Sequence, residues 1–376
     1  VNLNGGNPAS FGTYNAYSRN GVTVNNYANP DITWETSRQT NLALEFTTLK
    51  DLNVVLEVYK AYTYNILQYR SSIPATMGLE SGIAANIGAA DKKGIDLQMD
   101  YKHSFGKNFW LQGRANFTYV ESVYAKYEEP GYPPNEAYLS EIGQPIGRQM
   151  GYVAERLFVD DNEARNSPSQ IFSAGGIAPQ GGDIKYRDLN GDGKIDGFDQ
   201  TYIGYPTVPE IVYGYGISAG YKSFDLSAFF QGQAMVSFFI DPNRVSPFIQ
   251  SPDPYMVGNT QLLQAFADNH WSESNQNLYA MYPRLGVTGA QIENNRQNST
   301  WWMRDGSFLR LKSLEIGYTL PKQISQKLNI TKCRIYFNGL NLYTWAPFKL
   351  WDPELGGNGF AYPIQKVFNI GANVTL

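Results

Sequence analysis

The spacing that most directly implies chemistry is the run Asp188-x-Asn190-x-Asp192-Gly193-Lys194-Ile195-Asp196-x-x-Asp199. It matches a twelve-residue calcium loop. Side-chain oxygens fall at positions 1, 3, 5, 9 and 12, the Lys194 carbonyl falls at 7, and Gly193 at 6 allows the sharp turn. A hard cation needs several oxygens to converge, and this spacing wraps the chain around one. Position 12 is Asp199 rather than Glu, which shortens its reach. The competing reading is an Asx-rich turn that holds no ion. The expectation is calcium held by Asp188, Asn190, Asp192, Lys194, Asp196 and Asp199, pinning a long loop.

Other candidates are weaker. Aromatic residues crowd the Pro- and Gly-rich connections: Tyr132, Tyr138, Tyr255, Trp271, Tyr279, Tyr282, Trp301, Trp302, Trp345, Trp351, Phe360 and Tyr362. They read as platforms for sugar rings or peptide side chains, or as plain loop packing and an interfacial girdle. Trp271 and Tyr279 are the candidate substrate contacts. Glu128-Glu129, Asp160-Asp161 and Asp352/Glu354 are carboxylate pairs, which a glycosidase would need across a cleft; as loop residues they read as solvated. No G-x-S-x-G, P-loop or HExxH motif is present, so the reading is not an enzyme. The single cysteine, Cys333, leaves no disulfide framework, and with two distant histidines, His103 and His270, a zinc site would need both plus carboxylates.

Composition narrows the class. Charged residues make up 17% of 376, against ~25% in ordinary domains, and aromatics make up 14%. Apolar content of 42% excludes a disordered chain, and a net charge of -4 excludes a nucleic-acid binder with a basic face. No run approaches the ~18 apolar residues of a spanning helix, but a transmembrane barrel needs none. The chain begins at Val1 with no initiator Met and no signal-like segment, and reads as a piece of a longer polypeptide.

The elements that would carry these loops have a period of two. Leu111, Ala115, Phe117 and Tyr119 oppose Gln112, Arg114, Asn116 and Thr118, and 94–102, 211–221, 224–238 and 368–376 alternate likewise. Nine strands are expected, at about 40–49, 52–66, 93–104, 109–124, 210–221, 224–239, 307–320, 333–346 and 367–376. In 308–320 the apolar phase flips, which predicts a bulge near Lys312-Ser313. Short turns alternate with long connections at 69–92, 128–209, 240–306 and 348–366, provided that 320–333, with a brief helical stretch from Lys322 to Leu328, counts as short. Long strands and loops segregated to one end favour an antiparallel transmembrane β-barrel over a soluble sandwich. The odd strand count leaves a first edge that must pair with something outside the sequence. Apolar 111, 115, 117 and 119 are expected to meet lipid, and their polar neighbours the lumen.

Several motifs in register carry a family resemblance. They are Asn29-Pro30-Asp31-Ile32-Thr33-Trp34-Glu35 before Gln39-Thr40-Asn41-Leu42, and Gly143-Gln144-Pro145-Ile146-Gly147 running to Gly151-Tyr152. The Asp188–Asp196 run follows, with Ile203-Gly204 behind it. Then come Arg304-Asp305-Gly306-Ser307-Phe308-Leu309-Arg310-Leu311-Lys312, Gly317-Tyr318-Thr319-Leu320-Pro321, Gly339-Leu340-Asn341-Leu342 and Asp352-Pro353-Glu354. From about residue 29 onward the chain resembles the C-terminal half of the SusC/RagA-type TonB-dependent outer-membrane transporters of Bacteroidota.

The resemblance implies an all-β fold, the C-terminal portion of a 22-stranded barrel over 1–376, with long extracellular loops at 128–209 and 240–306. It implies a bacterial outer-membrane location and TonB-driven uptake of oligosaccharides captured with a SusD-like surface lipoprotein. TonB itself would act through an N-terminal plug that this sequence lacks, and lipid surrounds the barrel. An oligopeptide importer of the RagA type and a secreted β-rich glycan-binding protein are the alternatives; a glycan hydrolase is a third. The C-terminal Leu376 departs from the aromatic usual in the family.

Overall fold

In a computed structural model the chain is described over residues 2–174, 176–248, 262–327 and 329–376. Tyr255, one of the loop aromatics, and Leu328, at the end of the expected helical stretch, lie outside the described residues. The strands, in chain order, begin with a hairpin of β1 (Asn2–Phe11) and β2 (Tyr17–Asn26). β3 (Thr36–Thr48), β4 (Leu52–Tyr69), β5 (Ala84–Phe105) and β6 (Phe109–Lys126) follow. Short strands β7 (Arg148–Tyr152), β8 (Ala154–Leu157), β9 (Ile184–Tyr186) and β10 (Gln200–Pro206) occupy the first long connection. Next come β11 (Ile211–Tyr221), β12 (Phe224–Ala234), β13 (Ser237–Phe239) and β14 (Met303–Asp305). The chain closes with β15 (Phe308–Thr319), β16 (Lys332–Trp345) and β17 (Val367–Thr375).

Nine of these form one sheet in the order β17-β16-β15-β12-β11-β6-β5-β4-β3. Each strand lies beside the next long strand in sequence, and the pairs from β6 to β17 are antiparallel. The sheet does not close; β3 and β17 are its edges. All nine expected strands are present within a few residues, except that β5 starts at Ala84 rather than near 93. The expected 224–239 strand divides at Met235, whose φ of 53° breaks the extended run, and β13 pairs instead with β14. The β1–β2 hairpin precedes the first expected strand and is an addition.

Register explains the alternation. Leu111, Ala219, Leu226, Ile316, Phe337 and Ile370 stand directly opposite one another across six strands. One residue away, Gln112, Ser218, Ser227, Glu315, Asn338 and Asn369 form a polar row. Directly opposite residues share a face, so the sheet has one apolar and one polar side. On the polar side Thr118 donates to Asp96 at 2.7 Å, Arg114 pairs with Asp100 at 3.3 Å, and the Ser218 and Ser227 hydroxyls meet at 2.8 Å. The bulge falls where the phase flip requires it. Phe229 faces Ser313 and Phe230 faces Leu311, so Lys312 is the extra residue. It keeps Leu311 and Leu314 in the apolar rows on either side.

The chain divides into two compact units. One comprises 1–41, 59–93 and 121–146, the other 42–58, 94–120 and 147–376. In the first, the Asn86 side-chain amide donates to the Thr33 and Asn65 carbonyls, and Arg70 pairs with Glu128 at 2.9 Å. The second carries the main buried core.

Candidate functional site

That core sits in the long connections, not in the sheet. Tyr152, Leu157, Ile184, Tyr186 and Ile195 from 147–210 pack with Ile240, Val245, Phe266, Trp271, Tyr282 and Trp302 from 240–306, and with Phe348. The described parts of 147–209 and 240–306 therefore form one folded body. β8 pairs with β9 and β7 with β10, giving the backbone regular partners. Two consecutive asparagines then tie the segments together. The Ile184 carbonyl accepts from Asn294 at 2.8 Å and the Ile184 N–H donates to Asn295 at 2.9 Å. Gln170 spans the same strand, donating to Ile184 and accepting from the Tyr186 N–H at 2.9 Å. Trp302 donates its indole N–H to the Asn295 carbonyl at 2.6 Å. Sequence reasoning missed Gln170, Asn294 and Asn295, because an amide in a polar-rich loop carries no mark of burial.

Several charges inside this body are paired. Asp183 holds Arg284 through two bonds of 3.1 Å and accepts from Asn295 at 2.8 Å. Burial pushes its carboxyl up, and the Arg284 guanidinium opposes that. Glu163 takes Arg156 and Lys185 together, at 2.6 and 3.0 Å. The Arg156 hydrogen bond is the main reason its carboxyl falls to about 2. A third set joins sheet to loop. Arg310 of β15, 1% exposed, binds Asp352 at 2.5 Å and also Glu354. The Asp352/Glu354 pair thus clamps an arginine from another segment and is not the solvated loop pair its position suggests.

The calcium-type loop lies between β9 and β10. Its side chains turn to its own backbone. Asp188 accepts from the Gly191 and Gly193 N–H groups at 2.6 and 2.8 Å, Asn190 from Asp192 at 3.0 Å, and Asp192 from Lys194 at 2.8 Å. Asp196 caps the turn Gly197–Asp199 by accepting from Phe198. Asp199, fully buried, accepts from Leu189 and Asp196 at 2.7 and 2.9 Å. Ile195 anchors the loop in the core, and Ser169 bonds both Gly193 and Ile195. The donor set is all oxygen, which fits a hard cation. Among the described residues, however, no three carboxylate, histidine or cysteine side chains converge as a metal group. In this arrangement the loop closes as an Asx-rich turn.

The two candidate substrate contacts separate. Trp271 is 7% exposed and belongs to the core, its ring laid against Gly182. A buried ring cannot offer its face to a sugar, so its place is structural. Tyr279 is 70% exposed and presents a ring to solvent. Tyr282, Trp302 and Trp351, also among the loop aromatics, pack into or against the core.

The family model described as "TonB dependent receptor-like, beta-barrel" matches residues 4–342. TonB-dependent receptor P3 of Formosa agariphila is 26% identical over 94% of this chain and 35% of its own length. TonB-dependent receptor P26 of the same organism is 26% identical over 97% of this chain and 37% of its own. The chain thus spans a little over a third of these relatives. Among solved structures, the RagAB peptide transporter superposes with a TM-score of 0.68 at 21% identity, over 98% of this chain and 38% of that one. The RagAB peptide importer in its "closed-closed" state gives 0.66 at 22%. At such identities the likeness is one of fold. With the family model covering most of its length, the chain belongs to the TonB dependent receptor-like β-barrel family and sits in the outer membrane.

Proposed function

We propose that this chain is the barrel portion of a nutrient importer that takes up oligosaccharides together with a SusD-like surface lipoprotein, driven by TonB. The observation that carries the reading is the join of two surfaces in one unit. A six-strand apolar row suits lipid, and a tightly packed body of long connections stands at the end of the strands where a lid would seat. Exposed Tyr279 is the ring best placed to stack on a sugar. Oligopeptide is the alternative cargo, and the structurally similar RagAB, at 21 and 22% identity, is a peptide importer. The test is recovery of the native complex from membranes in mild detergent, with mass spectrometry of the bound cargo. A co-purifying lipoprotein with oligosaccharide supports the reading. A barrel that comes out alone counts against the lid, and peptide density reverses the cargo.

Calcium at Asp188, Asn190, Asp192, Lys194, Asp196 and Asp199 is proposed as a structural ion of the loop body. The spacing and the all-oxygen donor set support it. Calcium titration by calorimetry should show one site near ~10⁻⁴–10⁻³ M, lost in Asp188→Asn with Asp192→Asn. No heat in the unsubstituted protein would leave the loop a plain Asx turn.

A further inference from the structure

A cavity of about 520 Å³ opens in the first compact unit. Arg38, Tyr62, Tyr64, Asn65, Asn86 and Lys126 line it, and no carboxylate does. Arg38 is the third residue of β3, Asn86 the third of β5 and Lys126 the last of β6. All three strands lead at these positions into the N-terminal segment or into long connections, so the cavity belongs to that end of the strands.

Its two cations are unlike their neighbours. In the same unit Lys60 faces Asp91 at 3.8 Å, Lys93 faces Glu121 at 2.5 Å and Arg70 faces Glu128. Among the described residues neither Arg38 nor Lys126 forms an ion pair. Arg38 instead lies 5.2 Å over the Tyr64 ring. Tyr62 stacks on Tyr64 with centroids 6.0 Å apart. A guanidinium braced on an aromatic face has lost little of its hydrogen-bonding capacity, since its N–H edge stays available. Two such cations beside amide side chains and phenol rings suit an anionic oxygen group carried on a ring or chain that can stack.

We propose that this cavity is an anion subsite for the cargo, taking a carboxylate or sulfate group borne on the imported molecule. The inference rests on the transport reading and narrows its substrate class to acidic cargo. Arg38 supplies a planar fork for two oxygens. Lys126 adds a point charge from the neighbouring side. Asn65 and Asn86 flank them, and Tyr62 and Tyr64 line the site.

The test uses the full-length transporter. Crystals soaked in selenate are examined for anomalous density between Arg38 and Lys126. A peak in the unsubstituted protein that is lost in Arg38→Gln with Lys126→Gln supports the subsite. An empty cavity, or a peak kept in that double variant and so an adventitious ion only, overturns it. Cells are then fed a mixed pool of neutral and acidic oligosaccharides and peptides, with depletion followed by mass spectrometry. The double variant should slow uptake of the acidic species about tenfold and leave neutral species unchanged. Arg38→Lys with Lys126→Arg, which keeps both charges, should retain the acidic preference and so excludes a folding defect. Equal slowing of neutral and acidic species overturns the subsite. Cells lacking the transporter that deplete the pool as fast as the parent defeat the transport reading itself, which the selenate peak does not address. Sulfated sugars, uronic acids and acidic peptides differ in mass, so the same pool identifies which anion is carried.

Discussion

The sheet and the loop body of the second unit are built from the same kind of residues but for opposite surroundings. In the sheet, large apolar side chains face outward. Ile316 is 50% exposed and Ile370 81%. In the loop body, polar groups lie inside, with Asn295 at 2% and Asp183 at 2% exposed. A water-soluble domain would place its apolar surface in the core and its amides outside. The sheet has no such core because lipid is the solvent of that face. The loop body builds a buried core of its own, as a domain in water does. Its segments lack long regular strands, so buried side-chain amides satisfy the backbone where ladder bonds are missing. The two regions therefore respond differently to the same kind of substitution.

The largest effect is expected in the loop body. Trp302 is almost fully buried, holds the Asn295 carbonyl and lies 5.7 Å from the Tyr282 ring. Trp302→Ala should destabilise that body by about 4 kcal/mol through cavity formation. Hydrogen exchange should rise across Ile184–Tyr186 while the sheet amides keep their protection. Exchange unchanged in the loops would refute a single cooperative loop core. A polar change in the sheet should be nearly as costly and act elsewhere. Phe117→Arg, on the apolar side in mid-strand, should cost about 3 kcal/mol in folding into lipid bilayers. Asn116→Lys, one residue away on the polar side, should be mild. Equal costs for the two would mean that the faces are assigned wrongly.

A smaller effect separates polar burial from packing. Asn295→Ala leaves the Ile184 N–H and the Asp183 carboxylate each short of a partner, which should cost the loop body about 2 kcal/mol. Proteolytic nicking between 270 and 300 should rise. Asn369→Ala, in the polar row of edge strand β17, should change little in the same assay. If both were neutral, the buried amides would be incidental.

The difference between the regions also explains what was legible in the sequence. Period-two alternation is a local signal, so nine strands and the Lys312 bulge could be read from it. The division at Met235 could not, since the alternation runs unbroken through 224–238, and the Gly- and Asn-rich β1–β2 hairpin could not, since it carries little of that period. The loop body was legible only as long, aromatic-rich connections. Its core depends on contacts between residues more than 100 positions apart, such as Gln170 with Asn294 at 2.8 Å. Arg310 and the Asp352-Pro353-Glu354 run were both visible as separate motifs, and only the fold joins them. Trp271 shows the reverse error, because a tryptophan in a long loop reads the same whether it faces solvent or, as here, lays its ring against Gly182.

The mildest prediction concerns acid. Glu163 ties β8 to β9 through Arg156 and Lys185, and its carboxyl is held down to about 2 from an ordinary 4.5. A carboxyl depressed on folding stabilises the folded form above its unfolded value, and that stabilisation drains away as protons return. The contribution of Glu163 is thus full above about 4.5 and is lost as pH falls from there toward about 2. The sheet's paired carboxylates, Asp225 and Glu315 on Arg334 and Asp100 on Arg114, lie on its polar side, and its apolar rows carry no titrating group. Below pH 4.5 the loop body should therefore open before the sheet does, seen as a rise in loop hydrogen exchange ahead of any loss of strand circular dichroism. Glu163→Gln should make the loop less stable at neutral pH and flatten this acid dependence. A sheet that melts first in acid, or a Glu163→Gln loop with the same pH profile as the parent, would show that the two regions do not differ in this way.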